Sequence, residues 1–406
     1  SPIRVKLHNR LGAKGEINLP DKQSADEISN DLETSKFQVT SVTTKPHKTK
    51  PGAPFITSTL QQEASKKLNF QTSRTMTVAQ SLFEGVNLGG EGRVGLITYM
   101  RTDSPQIAPE AVAEIRRHIG DVFGKEYLHG TSRTYSTRSN VAQEAHEAIR
   151  PTSVKRTPDS VKAHLKLDEL RLYRLIWERA VASQMADHIA DRTTVILQAV
   201  GASGSSWEFR ASGSREKFIG WRKVYEEAKD DPQDSDDSTT MPPLSNAQSL
   251  SLRKLNPEQH FTRPKPQYNE ASLVKELEEQ GVGRPSTYAS TIKTIVDRKY
   301  VKREGKVLNS TPLGRDVSNL LKEAWSGVVD IAFTSSMEEK LDAIANGEAE
   351  WQDFVSDIYQ DIGFRIPKPP EETDFDCPRC ERKLLLRDGS NGRFFSCPGY
   401  PRCRYT

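Results

Sequence analysis

The sequence predicts a multidomain α+β chain, and three observations lead to that class. Stretches with apolar residues at helical spacing are interleaved with short alternating stretches of strand character. Apolar side chains make up only 35% of 406 residues and charged ones 28%, which fits several modules with much polar surface better than one large core. All four cysteines fall within the last 30 residues and mark off a small C-terminal module.

Taken in order, residues 1–48 are polar with short alternating pieces such as Phe37–Val42, and they read as strands and turns. Lys45–Gly52 reads as a linker. Thr59–Ala64 and Thr75–Phe83 suit amphipathic helices, and Asn87–Gly92 a flexible loop. Val112, Ile115, Ile119 and Val122 recur at helical spacing, and a further helix covers about Asp168–Ala186. Thr193–Val200, Trp207–Ser212 and Leu250–Leu255 read as strands flanking a solvated acidic loop, Asp230–Ser238. From Tyr268 the chain is helical again, with Asn269 as cap and Gly281 as stop, then a second helix carrying Ile292, Ile295 and Val296. Pro367–Glu372 is a linker before the cysteines.

Composition excludes several roles. With 58 basic and 55 acidic side chains, net charge is only +3, so a nucleic-acid role has to rest on local patches. No apolar run approaches the roughly 20 residues of a membrane helix, and no signal peptide opens the chain. The first residue is Ser1, so the chain reads as a fragment or a processed form. Clustered cysteines in metal-ligand spacing fit a reducing cytoplasm.

Four places carry chemistry. Gly95–Ser104 sets Tyr99 two residues before Arg101, directly after an apolar run. A phenol oxygen can attack a phosphodiester, and a guanidinium, which does not deprotonate, can hold the phosphate as charge builds. The same pair also reads as a strand end with a surface cation. In Gln143–Pro151, His146 and Arg150 are four apart and would share a helix face, where both could contact phosphate; the histidine also reads as structural. Gly281–Tyr288 separates two helices, and Ser286 or Thr287 can cap the second, offering its N–H groups to a phosphate. An ordinary two-helix corner is the plainer reading. Cys377-x2-Cys380, sixteen residues, then Cys397-x5-Cys403 can close a tetrahedral Zn²⁺ site. This module holds seven Lys or Arg against Glu381 and Asp388, with Phe394, Phe395, Tyr400 and Tyr405 among them. Bases could stack on those rings, though one or two must form the small core.

Together, Lys50–Gln62, Gly95–Ser104, Gln143–Pro151, and Glu270–Leu277 running into Gly283–Tyr288 resemble bacterial DNA topoisomerase I, of the type IA family. The resemblance covers nearly the whole chain. It implies that 49–187 is a helical domain carrying the nucleophile, that 1–48 and 188–258 form a β-rich arch that hinges, that 259–365 is the C-terminal part of a helical DNA-binding base domain, that 366–374 is a linker and that 375–406 is one zinc ribbon. It implies Tyr99 and Arg101 as catalytic residues, DNA contacts from His146, Arg150, Arg284, Ser286 and Thr287, and a cytoplasmic, nucleoid-associated monomer. The substrates would be single-stranded and negatively supercoiled DNA. The family also uses Mg²⁺, held by acidic residues of an N-terminal Toprim domain. This sequence has no such cluster; Asp234 and Asp236 lie in a polar loop. The expectation is therefore an incomplete type IA chain, poorly active alone and completed by a Toprim-containing portion. The alternatives are a non-catalytic single-strand-binding module using the two-helix corner and ribbon, or a protein-docking piece.

Overall fold

The computed structural model describes residues 2–13, 15, 17–136, 147–226, 241–262, 264–324, 327, 329–363, 371–389, 392–399 and 402–406. The chain forms two compact units, Ser1–Arg315 and Asp316–Thr406.

The first unit opens with strand β1 (Lys6–Arg10) and helix α1 (Lys22–Leu32), started by Asp21, whose carboxylate accepts from the Ser24 N–H at 2.8 Å. Helix α1 lies where only strands and turns were expected. Its signal is the Asp-x-x-Ser cap, easily lost in so polar a stretch. Strand β2 runs Lys36–Thr49, so most of the expected linker at Lys45–Gly52 is strand. Pro46 sits within it, opposite Asp191. On its other side β2 is paired only over Lys36–Gln38, so the missing N–H of Pro46 falls on an open edge where a ladder tolerates it.

Next come α2 (Thr57–Glu63), a π-helical turn (Ala64–Leu68) ended by left-handed Asn69, and α3 (Thr72–Glu84). The expected flexible loop is a tight hairpin of β3 (Val86–Asn87) and β4 (Arg93–Val94) closed by a 3₁₀ turn. Helices α4 (Pro109–Val122), α5 (Pro158–Val161) and α6 (Leu167–Ala182) follow. Long strands β5 (His188–Val200) and β6 (Ser206–Phe218) then extend beyond their expected cores, and β7 is only Ser249–Ser251. The acidic loop lies outside the described residues. Five strands make one antiparallel sheet in the order β1-β6-β5-β2-β7, built from two stretches far apart in sequence. Alternation buries Phe37 and Val39, Val195 and Leu197, and Phe209 on one face, against Leu32 of α1.

A larger core holds the helices together: Leu60, Leu82, Leu96, Ile97, Met100, Ile115, Ile119, Leu172 and Ile176 are all buried. Trp221 and Tyr225, just past β6, enter this same core. The Trp221 indole donates to Thr49 O at 2.9 Å and the Tyr225 hydroxyl to Glu63 at 2.7 Å, which fixes one end of the sheet to the helical core. Gly220 makes this possible. It has φ +53°, and a Cβ there would lie 2.3 Å from Asp187 O. Gly220→Ala is expected to destabilise this unit by about 2–4 kcal/mol, from steric overlap and left-handed strain. A denaturant midpoint equal to that of the wild type would refute this.

The unit closes with α7 (Glu270–Glu279), α8 (Tyr288–Asp297), and a hairpin of β8 (Val301–Glu304) and β9 (Val307–Ser310). Asn269 caps α7 as expected, accepting from Ser272 N–H at 2.9 Å. Val274, Tyr288 and Ile292 form its small core. Glu270 is buried and ties α7 to α3: its carboxylate accepts from Thr72 N–H (2.7 Å), Thr72 Oγ1 (2.9 Å) and Arg303 Nε (2.8 Å).

Helix α9 (Pro312–Ala324) leads into the second unit, which holds α10 (Ile331–Ala345), capped by Asp330, and α11 (Trp351–Gly363). Strands β10 (Glu371–Asp376), β11 (Lys383–Gly389) and β12 (Gly392–Ser396) form a three-stranded antiparallel sheet. The strand β10 begins inside the segment expected to be a linker. Among the described residues no helix is long and apolar enough to cross a membrane.

Candidate active site and metal centre

The Tyr99 segment runs through bends at Thr98, Met100 and Arg101 and is fixed along its length. Leu96 N–H donates to Leu82 O (2.8 Å), the C-terminal turn of α3. Gly95 passes so close to α3 that a Cβ would sit 2.7 Å from Phe83 O. On one side the segment pairs with 148–152. Thr98 N–H donates to Arg150 O (3.0 Å), Thr98 Oγ1 donates to Ala148 O (2.6 Å) and accepts from Arg150 N–H (3.0 Å), and Thr152 N–H reaches Leu96 O (2.9 Å). On the other side stands Thr57, the first residue of α2. Its N–H donates to Thr102 O at 2.9 Å, and its hydroxyl meets Met100 O and Thr102 N–H.

Met100 and Thr102 are 1% and 2% exposed and point inward. Tyr99 is 38% exposed and Arg101 is exposed, so both project outward two residues apart. The Tyr99 ring packs edge-on against Phe83, centroids 5.3 Å apart at 64°, which orients the phenol. A hydroxyl and a guanidinium are thus presented to solvent from rigid backbone. A phenol and a guanidinium so placed have the chemistry to attack a phosphodiester and to hold its oxygens.

Of the other expected residues the structure describes Arg150, Arg284, Ser286 and Thr287. His146 lies outside the described residues. Residues 147–152 are extended, so the shared helix face expected for His146 and Arg150 does not extend through this stretch. Pro151 disfavours helical backbone at Arg150, and the segment is held in bridges Phe55–Ile149 and Ile97–Pro151. The Arg150 side chain is largely buried. Its Nε donates to Glu147 at 2.6 Å and its Nη1 to Pro151 O at 3.0 Å. Burial acts to raise the Glu147 pKa, but the Arg150 hydrogen bond, the Ala108 N–H and the Arg150 charge outweigh it, and the carboxyl titrates below its ordinary range. This pair braces the strand next to Tyr99.

At the two-helix corner, Arg284 Nη1 donates to Gly283 O (2.8 Å). Ser286 is exposed. Thr287 holds the cap position of α8, yet its hydroxyl turns back, accepting from Arg284 N–H (2.8 Å) instead of capping the helix. The corner is closed on itself, with Arg284 at its edge. Sequence reading missed Thr57, Thr98, Glu147 and Glu270. Thr57-Ser58-Thr59 before an apolar period is a helix-start signal, but it does not reveal a partner more than forty residues away.

The four cysteines converge in the second unit. Their sulfurs lie within 4.8 Å of one another, with Cys377–Cys403 at 3.7 Å and Cys380–Cys397 at 3.3 Å. Tetrahedral Zn–S bonds imply sulfur separations of about 3.8 Å, so the donors fit zinc. For Cys377, burial acts to raise the pKa, but N–H donors from Arg379 and Cys380 and the neighbouring thiols outweigh it and bring it down to about 7. Burial, reinforced by the other thiols, pushes Cys397 up to about 12 despite the Gly399 N–H. Without a cation the four cannot all be thiolates; a dication makes that possible. Leu384 and partly buried Tyr405 pack on the cysteines, while Phe375, Phe394 and Phe395 are exposed. Tyr400 lies outside the described residues. Among the described residues this is the only group of three or more side chains set to hold a metal.

Residues 3–356 match the family model described as DNA topoisomerase, and residues 374–406 match that of the topoisomerase DNA-binding C4 zinc finger. Among solved structures, full-length topoisomerase I from Thermotoga maritima is similar at 34% identity with a TM-score of 0.75, covering 95% of this chain. The chain spans 62% of that protein's length. A fixed tyrosine–arginine pair, a four-cysteine centre and these matches lead to one conclusion: the chain belongs to the DNA topoisomerase family.

Proposed function

We propose that this chain carries the nucleophile of a type IA topoisomerase that relaxes negatively supercoiled DNA without a nucleotide. The observation that carries this is the joint outward projection of Tyr99 and Arg101 from clamped backbone. The Tyr99 oxygen attacks phosphorus in one strand. A Tyr–O–P bond forms, the P–O3′ bond breaks, and the phenol proton leaves as the 3′ oxygen gains one. Arg101 holds the phosphate oxygens as charge accumulates. The resulting 5′-phosphotyrosine diester keeps the bond energy, so attack by the 3′ hydroxyl after strand passage reverses the step with no net cost.

In this reading the five-stranded sheet is the hinging arch, and the corner near Arg284, Ser286 and Thr287, with His146, lies along a single strand, while Arg150 braces the backbone beside Tyr99. Zinc supplies the fold of the ribbon, and Cys377, Cys380, Cys397 and Cys403 hold it. Among the described residues no group of three or more carboxylates converges to hold Mg²⁺. The protein works as a monomer in the bacterial cytoplasm.

The test is direct. The chain is incubated with single-stranded oligonucleotide and Mg²⁺, denatured and digested with trypsin. Mass spectrometry is expected to find the Val94–Arg101 peptide carrying a 5′-phosphonucleotide on Tyr99. A nucleotide on any other residue would refute the assignment. A second reading, strand binding without cleavage, is favoured by exposed Phe375, Phe394 and Phe395 beside Arg393 in the ribbon. It would be supported by salt-sensitive binding with no adduct.

A further inference from the structure

Thr57 is fully buried, and every hydrogen bond of its side chain goes to a segment more than forty residues away. Its hydroxyl lies 2.8 Å from Met100 O and 3.1 Å from Thr102 O, and it accepts from Thr102 N–H at 2.9 Å. Its own N–H donates to Thr102 O at 2.9 Å. The one hydroxyl proton is shared between the two carbonyl oxygens, and a lone pair takes the Thr102 N–H.

These contacts have a specific geometric consequence. Met100 O belongs to the peptide plane that precedes the Arg101 Cα, and Thr102 N–H to the plane that follows it. A single hydroxyl therefore pins both planes around Arg101. With both fixed, the direction of the Arg101 Cα–Cβ bond is fixed too. Tyr99 is held separately, through Thr98 and the 148–150 strand. Thr102 passes the constraint onward, its Oγ1 accepting from Ser104 N–H at 3.0 Å.

We propose that Thr57 is a positioning residue for Arg101: its hydroxyl aims the guanidinium at the phosphate that Tyr99 attacks. This rests on the reading of Tyr99 and Arg101 given above. Thr57 does not touch DNA. Its loss lowers the rate of strand cleavage and leaves strand affinity intact.

The experiment compares wild type, Thr57→Val, Thr57→Ser, Arg101→Ala, Thr57→Val/Arg101→Ala and Tyr99→Phe, as the full chain. The adduct rate on a labelled oligonucleotide with Mg²⁺ is read beside affinity by fluorescence anisotropy. Thr57→Val is expected to slow the adduct about 10- to 100-fold, the range for a catalytic group misplaced by around an ångström. Affinity should stay within about twofold, and Thr57→Ser should restore most of the rate. In the Arg101→Ala background, Thr57→Val should cost less than about threefold more, because coupled residues are non-additive. A wild-type rate in Thr57→Val, no rescue by serine, or full additivity with Arg101→Ala would overturn the proposal.

If the wild type forms no adduct, cleavage by this chain alone fails as a reading, and amide exchange then decides the clamp by itself. Thr102 N–H should lose protection in Thr57→Val and keep it in Thr57→Ser, with the amides of α2 unchanged. Unchanged protection at Thr102 in Thr57→Val would overturn the clamp as well.

Discussion

Replacing Tyr99 by phenylalanine is expected to abolish the denaturation-resistant DNA adduct, by at least about 10³-fold, with strand binding intact. The substitution removes one oxygen. The ring keeps its edge-on contact with Phe83, and the backbone stays pinned at Thr98, Met100 and Thr102. Because Tyr99 is more than one-third exposed, the loss should change stability by less than about 0.5 kcal/mol. Lost activity in a variant with a wild-type melting temperature would therefore report chemistry and not folding. The measurement is adduct yield on a 5′- and a 3′-labelled oligonucleotide after detergent denaturation. Any adduct surviving in Tyr99→Phe would mean that another group attacks phosphorus.

The second large effect is loss of zinc. The wild-type chain is expected to contain about one zinc per molecule, and Cys380→Ser, or a strong chelator, should remove it and unfold residues 371–406. Structural zinc sites supply on the order of 10 kcal/mol, far more than a core of Leu384 and Tyr405 could supply. The five-stranded sheet and the α2–α6 core belong to the other compact unit and should keep their cooperative melting. Metal content by mass spectrometry, with limited proteolysis at Lys383 and its neighbours, checks both halves. Oligonucleotide binding should weaken and its salt dependence flatten, because the ribbon's arginines then no longer act from one folded surface. A zinc-free wild-type chain with a protease-resistant ribbon would contradict this.

Much of the chemistry could be read locally. The cysteine spacing pointed to a metal centre because ligand separation along the chain limits which sulfurs can meet. Tyr99 and Arg101 stood out as a phenol and a guanidinium two residues apart directly after an apolar run, a pattern legible in ten consecutive residues. The helices at Thr75–Phe83 and Val112–Val122 and the Asn269 cap followed from periodicity and cap chemistry, which are properties of a few consecutive residues.

What only the tertiary structure decided involved partners distant in sequence. Strand β2 runs through Pro46 because β5 pairs with it along that side and the opposite edge is open; no local propensity states that. Arg150 is a buried brace because Glu147 and the Thr98 strand meet it there, which extended backbone before Pro151 permits and a helix would not. Thr57 reads in sequence as one of three hydroxyl residues at a helix start. Its task follows from Met100 and Thr102 being folded against it. A hydrogen bond is set by where its two ends meet in space, and the sequence around one end does not specify the other.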